Sequence, residues 1–260
     1  MARASLWGFQ VQSYGVSKVA AALVGAFLLG RAFQRLGYAT DTAHSLVLWA
    51  TVWGFVAAKI YFLIDNWQNF SLHMLGGSGF VWYGGLIGGA IAVVIITRRR
   101  RLPLGVVAGA MAMPLSVAYG IGRIGCFVAG DGTNGKPTDL LWGVAFPNGA
   151  VPVDVPVHPT QLYEAIGAFA IAAVLWALGR RWRPMSVFGA YLALSGLARL
   201  LVEFVRINQP VLFGLTEAQL LGIASIGVGI ALVVWDRRHR PETASSEPGR
   251  VPTAAGTSTA

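Results

Sequence analysis

The chain has 260 residues, of which 55% are hydrophobic and only 12% charged, with 33 glycines and a formal net charge of +9. Those proportions exclude an ordinary soluble domain and indicate one polytopic membrane domain. Nucleic-acid binding is excluded as a reading of the positive charge, because each arginine cluster abuts an apolar segment and none builds a soluble basic face.

Windows of roughly 20 apolar residues, enough to cross about 30 Å of hydrocarbon, fall at 14–34, 45–64, 79–97, 104–126, 160–179, 186–205 and 216–235. The fold class expected is therefore an all-α membrane protein with seven transmembrane helices over residues 1–240. The first window runs into Gly30 and Arg31 with no small-residue cleavage pattern, so it reads as a retained span and not a removed signal peptide. The remainder, 241–260, is small, polar and proline-bearing, which predicts a disordered cytoplasmic tail.

Basic residues orient the spans. Arg31 and Arg35, the run Arg98 to Arg101, Arg180, Arg181 and Arg183, and Arg237, Arg238 and Arg240 all follow odd-numbered windows. Positive charge is retained in the cytoplasm, so the N-terminus is expected outside and the C-terminus inside. A long external loop at about 128–159 then joins the fourth and fifth spans. At over thirty residues it exceeds a simple connector and suggests a lid or a substrate-docking element.

Within the spans lie Lys59, Arg123, Glu164, Arg199 and Glu203. A charge in hydrocarbon costs at least about 2.5 kcal/mol on insertion scales, so it needs a partner, water or a functional reason. Counted at 1.5 Å per residue, these five, with Tyr14 and Tyr83, fall within about 10 Å of the outer boundary. Lys59 has the alternative of snorkelling to the interface. Arg199 and Glu203 have that of an i, i+4 structural pair, and Arg206, at the span end, reads as an anchor. Arg123 has no acidic neighbour within a helical turn and requires a partner from another helix or a ligand.

Two planar guanidiniums at headgroup depth match a phosphodiester with bidentate, charge-assisted hydrogen bonds. Gly84 and Gly85 open the third span and Gly122 flanks Arg123, small residues that let a helix or a lipid headgroup approach the backbone. The loop holds Asp131, and the fifth span begins at Pro159 directly after His158, with free helix N–H groups that favour an anion. The single Cys126 excludes an internal disulfide and reads as a small packing residue behind Arg123.

At these residues the chain resembles the prolipoprotein diacylglyceryl transferase family of bacterial inner membranes. The resemblance rests on Tyr14-Gly15, Gly84-Gly85-Leu86-Ile87-Gly88-Gly89, Gly122-Arg123-Ile124-Gly125-Cys126-Phe127, Leu141-Trp142-Gly143-Val144-Ala145-Phe146-Pro147, His158-Pro159-Thr160-Gln161-Leu162-Tyr163-Glu164, and Arg199-Leu200-Leu201-Val202-Glu203-Phe204. It implies transfer of the diacylglyceryl group of phosphatidylglycerol to the lipobox cysteine in the signal peptide of a prolipoprotein, releasing glycerol 1-phosphate, with no cofactor or metal. It further implies a site open to the outer leaflet, among membrane lipids. Arg123 and Arg199 would hold the phosphate, Glu203 would orient Arg199, and Tyr14 would line the lipid site, with Glu164 and Asp131 also near substrate. Tyr83 stands where the family usually carries histidine, so His158 or Tyr83 is expected to accept the thiol proton. A diverged paralogue that binds phospholipid and uses another acceptor, and a small-solute transporter, are the alternatives.

Overall fold

The computed structural model describes residues 3–6, 9–76 and 79–239. The expected tail therefore lies outside the described residues. Seven α-helices are present among them: α1 Ser13–Arg35, α2 Thr40–Asp65, α3 Trp82–Arg99, α4 Leu104–Ala129, α5 Thr160–Leu178, α6 Pro184–Glu203 and α7 Glu217–Arg238. Six are long and apolar enough to cross a membrane. Helix α3 stands apart, because its 18 residues include four glycines and end on Arg98 and Arg99. A short antiparallel hairpin, β1 Arg3–Leu6 with β2 Phe9–Gln12, precedes α1.

The helices pack in an alternating up-and-down order around α4, which touches α1, α5 and α6. Its own course carries Pro114, and α5 is pinned beside it where Ser116 donates to the Ala168 carbonyl at 2.8 Å. Buried apolar side chains collect between α1, α2 and α4 around Leu29, Phe33 and Leu46, and between α4, α5 and α6 around Ala112 and Leu175. Elsewhere the helices turn large apolar side chains outward, as Leu23, Ile64 and Ile166 do. Only 11% of the α2 apolar window is buried within the protein. Helices that face their aliphatic side chains outward need a hydrocarbon solvent, which makes this a multi-pass membrane protein.

Close glycine contacts fix two antiparallel pairs. A Cβ on Gly84 would lie 2.6 Å from the Ala57 carbonyl oxygen, which sets α3 against α2. On Gly196 it would lie 2.6 Å from the Gly222 oxygen, which sets α6 against α7. In membranes such small-residue faces replace hydrophobic exclusion as the source of helix association. The result brings the C-terminal ends of α2, α4 and α6 and the N-terminal ends of α1, α3, α5 and α7 to one end of the bundle. The arginine runs after α1, α3, α5 and α7 occupy the other end.

The α4–α5 connection is folded. Helix α4 closes on Gly130 in the left-handed region (φ 58°). Strands β3 Val144–Phe146 and β4 Val153–Val157 then form a second antiparallel hairpin, and Gly135 bridges to Arg206 at the end of α6. The connection between α6 and α7 is a third hairpin, β5 Pro210–Leu212 with β6 Leu215–Thr216.

We predict that Gly196→Val, which forces a side chain into the Gly222 backbone, destabilises the protein by about 1–3 kcal/mol. At about 2–4 °C per kcal/mol this is a measurable fall in melting temperature in detergent. Gly227→Ala, where a Cβ meets nothing within 4 Å, should melt like the parent. Equal melting of Gly196→Val and parent would contradict the close α6–α7 contact.

Candidate active site

Antiparallel packing places Arg123, near the end of α4, opposite Glu164, in the second turn of α5. Arg199 reaches the same carboxylate from α6. Its Nη1 donates to Glu164 Oε1 at 2.6 Å, while Arg123 Nη2 forms an ion pair with Oε2. Arg199 Nη2 also meets Glu203 Oε2 at 2.9 Å, one turn on along α6. Arg206, past the helix end, completes the group, with Nη1 3.5 Å from Glu164 and Nε 3.8 Å from Glu203. Three guanidiniums thus surround two carboxylates, joining α4, α5 and α6.

Burial grades the three cations. The Arg199 side chain is 29% exposed, Arg123 13% and Arg206 9%. Burial, and then the charges of Arg199 and Arg123, push the Arg206 guanidinium down to about 10, so it remains cationic at neutral pH. Glu203 is anchored further by Asn208, whose side-chain amide donates to Oε1 at 2.5 Å. The Thr216 hydroxyl donates to the same oxygen at 2.9 Å. Thr216 is also the N-cap of α7, in a capping box with Gln219. One carboxylate therefore ties the end of α6 to the start of α7.

The long connection covers Arg123 from the other side. Arg123 Nη1 donates to the Thr133 hydroxyl at 3.4 Å, and Thr133 donates to Asp131 Oδ1 through its hydroxyl at 2.6 Å and its amide at 3.0 Å. Thr160, the first residue of α5, donates to the Thr133 carbonyl at 2.7 Å. Asp131 lies past the end of α4. Burial alone would raise its carboxyl, but the neighbouring Cys126 thiol, the two Thr133 hydrogen bonds and the nearby Gln161 side chain outweigh burial and hold it below its ordinary value. Cys126 is buried between Arg123 and Asp131, with Sγ 3.7 Å from Arg123 Nη1.

The other expected site residues are spread around this centre. Tyr83 stands beside Glu217, at the start of α7, and within electrostatic reach of Arg199. His158 points elsewhere: Nδ1 is 3.2 Å from the Tyr163 hydroxyl, which accepts from Trp142 Nε1 at 2.8 Å. Gly84 and Gly85 line the α2–α3 contact, whereas a Cβ on Gly122 would meet nothing within 4 Å, leaving that side of the Arg123 turn open. Tyr14 lies in the first turn of α1, and its side chain is outside the described residues.

Lys59, on α2, reaches to the α2–α3 connection, donating to the Gly76 carbonyl at 2.8 Å and lying over the rings of Phe62 and Phe80. Among the described residues no group of three His, Cys, Asp or Glu side chains converges as metal ligands. The reading of Arg206 as an interfacial anchor is corrected by its burial and its two carboxylate neighbours. Its i, i+3 spacing from Glu203 carried the signal, since it puts Arg199, Glu203 and Arg206 on one face.

Comparison with known proteins agrees with the geometry. A family model described as prolipoprotein diacylglyceryl transferase matches residues 2–235. The chain is 30% identical over 239 residues to the phosphatidylglycerol–prolipoprotein diacylglyceryl transferase of Clostridium tetani, covering 89% of this chain and 96% of that one. It is 32% identical to the protein of that name from Geobacter sulfurreducens (87% and 91% covered) and 35% identical to that from Nitrobacter winogradskyi (78% and 74% covered).

A depressed folded-state pKa makes Asp131 stabilising above its unfolded value, and that contribution disappears as pH falls through the folded value. Asp131→Asn should therefore lower the melting temperature at neutral pH, with the deficit shrinking as pH drops below about 4. A deficit of the same size at pH 7 and pH 3 would show that the carboxylate charge is not what stabilises the loop.

Proposed function

The chain belongs to the prolipoprotein diacylglyceryl transferase family, and we propose that it moves the diacylglyceryl group of phosphatidylglycerol onto the lipobox cysteine of prolipoproteins. The observation that carries this is the convergence of Arg123 and Arg199, from different helices, on one carboxylate. Guanidiniums held together by an anion are arranged to receive one. The match is to the phosphodiester of a lipid, because the pair lies at a helix-bundle end flanked by apolar, outward-facing helices.

The reaction forms a bond from the cysteine sulfur to the glycerol carbon that carries the phosphate ester. That carbon's bond to oxygen breaks, and glycerol 1-phosphate leaves with the bonding electrons. Negative charge grows on the departing oxygen, where Arg123 and Arg199 stabilise it electrostatically. Glu203 and Glu164 fix the two guanidinium planes beforehand, so little reorganisation is needed in the transition state. The thiol proton passes to His158, or to the Tyr83 oxygen as the Tyr83 proton moves on to the neighbouring Glu217 carboxylate. Tyr83 has Glu217 behind it and Arg199 nearby, whereas His158 has the Tyr163 hydroxyl on Nδ1. Tyr14, Gly84, Gly85, Gly122 and Asp131 complete the proposed substrate surround.

We place the site at the outer leaflet of a bacterial inner membrane, with α3 as a seventh span, the N-terminus outside and the C-terminus cytoplasmic. The support is electrostatic: the arginine runs lie at the bundle end away from Arg123, and cytoplasmic loops retain such runs. The hairpin of the α4–α5 connection then faces the compartment from which the signal peptide arrives, and serves as its docking element.

Purified protein incubated with labelled phosphatidylglycerol and a lipobox peptide should yield a thioether-linked lipopeptide. Arg199→Lys keeps the charge but loses the planar fork, and its rate should fall at least about a hundredfold with normal membrane insertion. Parent-level turnover in Arg199→Lys would refute the bidentate reading, and lipid crosslinking without lipopeptide would assign the chain to a different acceptor.

A further inference from the structure

The Arg206 side chain is only 9% exposed, yet its Nε and Nη1 form no hydrogen bond and meet Glu203 and Glu164 only at 3.8 and 3.5 Å. The carboxylates it faces are already engaged. Glu164 accepts from Arg199 and pairs with Arg123, while Glu203 holds Arg199, Asn208 and Thr216. A largely covered guanidinium that meets its carboxylates only at ion-pair distance is incompletely satisfied, and a state in which one of those carboxylates turns fully to it would satisfy it.

Charge identifies that state. Three guanidiniums share two carboxylates, which leaves one positive charge in the group. The other ionisable groups nearby do not cancel it by direct pairing. Asp131 is engaged by Thr133, Glu217 lies beside Tyr83, and Lys136 donates to the Phe204 carbonyl. A phosphodiester carries one negative charge and would make the group neutral. It would also take from Arg123 and Arg199 the donors that Glu164 now occupies.

We infer that Arg206 is a positioning residue that takes over the Glu164 carboxylate when the phosphodiester of the lipid substrate claims Arg123 and Arg199. The inference rests on the lipid transferase reading above. Glu164 then acts as an internal placeholder for the phosphate, and Arg206 as the seat to which it moves. Burial supports the division of labour: Arg199 is the most exposed of the three cations and Arg206 the least. Arg206 needs only its charge and a donor, whereas Arg199 needs its fork.

The test compares Arg206→Gln and Arg206→Lys with the parent. Melting with and without phosphatidylglycerol reads binding in the absence of any acceptor, and lipobox-peptide kinetics read KM and kcat. Arg206→Gln leaves two guanidiniums facing two carboxylates, so it should melt within a few degrees of the parent. Its stabilisation by phosphatidylglycerol should shrink and its KM for that lipid rise about tenfold, equivalent to about 1.4 kcal/mol, with kcat nearly unchanged. Arg206→Lys should restore KM to within about twofold.

A parent-like KM in Arg206→Gln would overturn the inference. So would a collapse of kcat at constant KM, which would put Arg206 on the reacting phosphate, or misfolding of Arg206→Gln, which would make Arg206 a strut of the empty site. If the parent binds and is stabilised by phosphatidylglycerol but forms no lipopeptide, the transferase reading fails while the binding comparison still decides the role of Arg206.

Discussion

The site depends on one shared anion. The Glu164 carboxylate receives guanidiniums from α4, from α6 and from the segment after α6. In a bilayer each of these charges alone would be expensive, and together they are tolerated because each neutralises part of the others. The network therefore fixes the relative depth of α4, α5 and α6 more sharply than their apolar faces, which slide past one another at little cost in lipid. Glu203 extends the same logic to α7 through Thr216.

The fold was largely legible in the sequence. Apolar windows located all seven helices, with most ends within a few residues, because a span must be about 20 residues long whatever it packs against. The exception is instructive. Helix α3 was expected as an equal of the others, but with its glycines and terminal arginines it is not among the six helices long and apolar enough to cross a membrane. Its place in the bundle comes from the contact of Gly84 and Gly88 with α2. Hydropathy measures affinity for lipid and is blind to such contacts.

The site was legible in part, and the divisions follow physical lines. That Arg123 needs a partner from another helix followed from the lack of a local carboxylate, and Glu164 supplies it. Which carboxylate it would be is a matter of tertiary packing, invisible in a linear chain. Arg206 was assigned to the interface because it follows the last apolar residue, while its side chain turns back under α6 to reach both glutamates. Depth alone groups Lys59 with the others, yet from its place on α2 its side chain turns to the α2–α3 connection. Depth follows from counting residues, and azimuth does not.

The structure holds Arg123 and Arg199 together on the Glu164 carboxylate, the place proposed for the lipid phosphate. A structure of the protein with phosphatidylglycerol bound is the most direct measurement of this. The account predicts the phosphate oxygens at about 2.7–2.9 Å from guanidinium nitrogens of both Arg123 and Arg199, with Glu164 turned away from at least one of them. A phosphate seated elsewhere, with the Arg123–Glu164–Arg199 contacts unchanged, would contradict it.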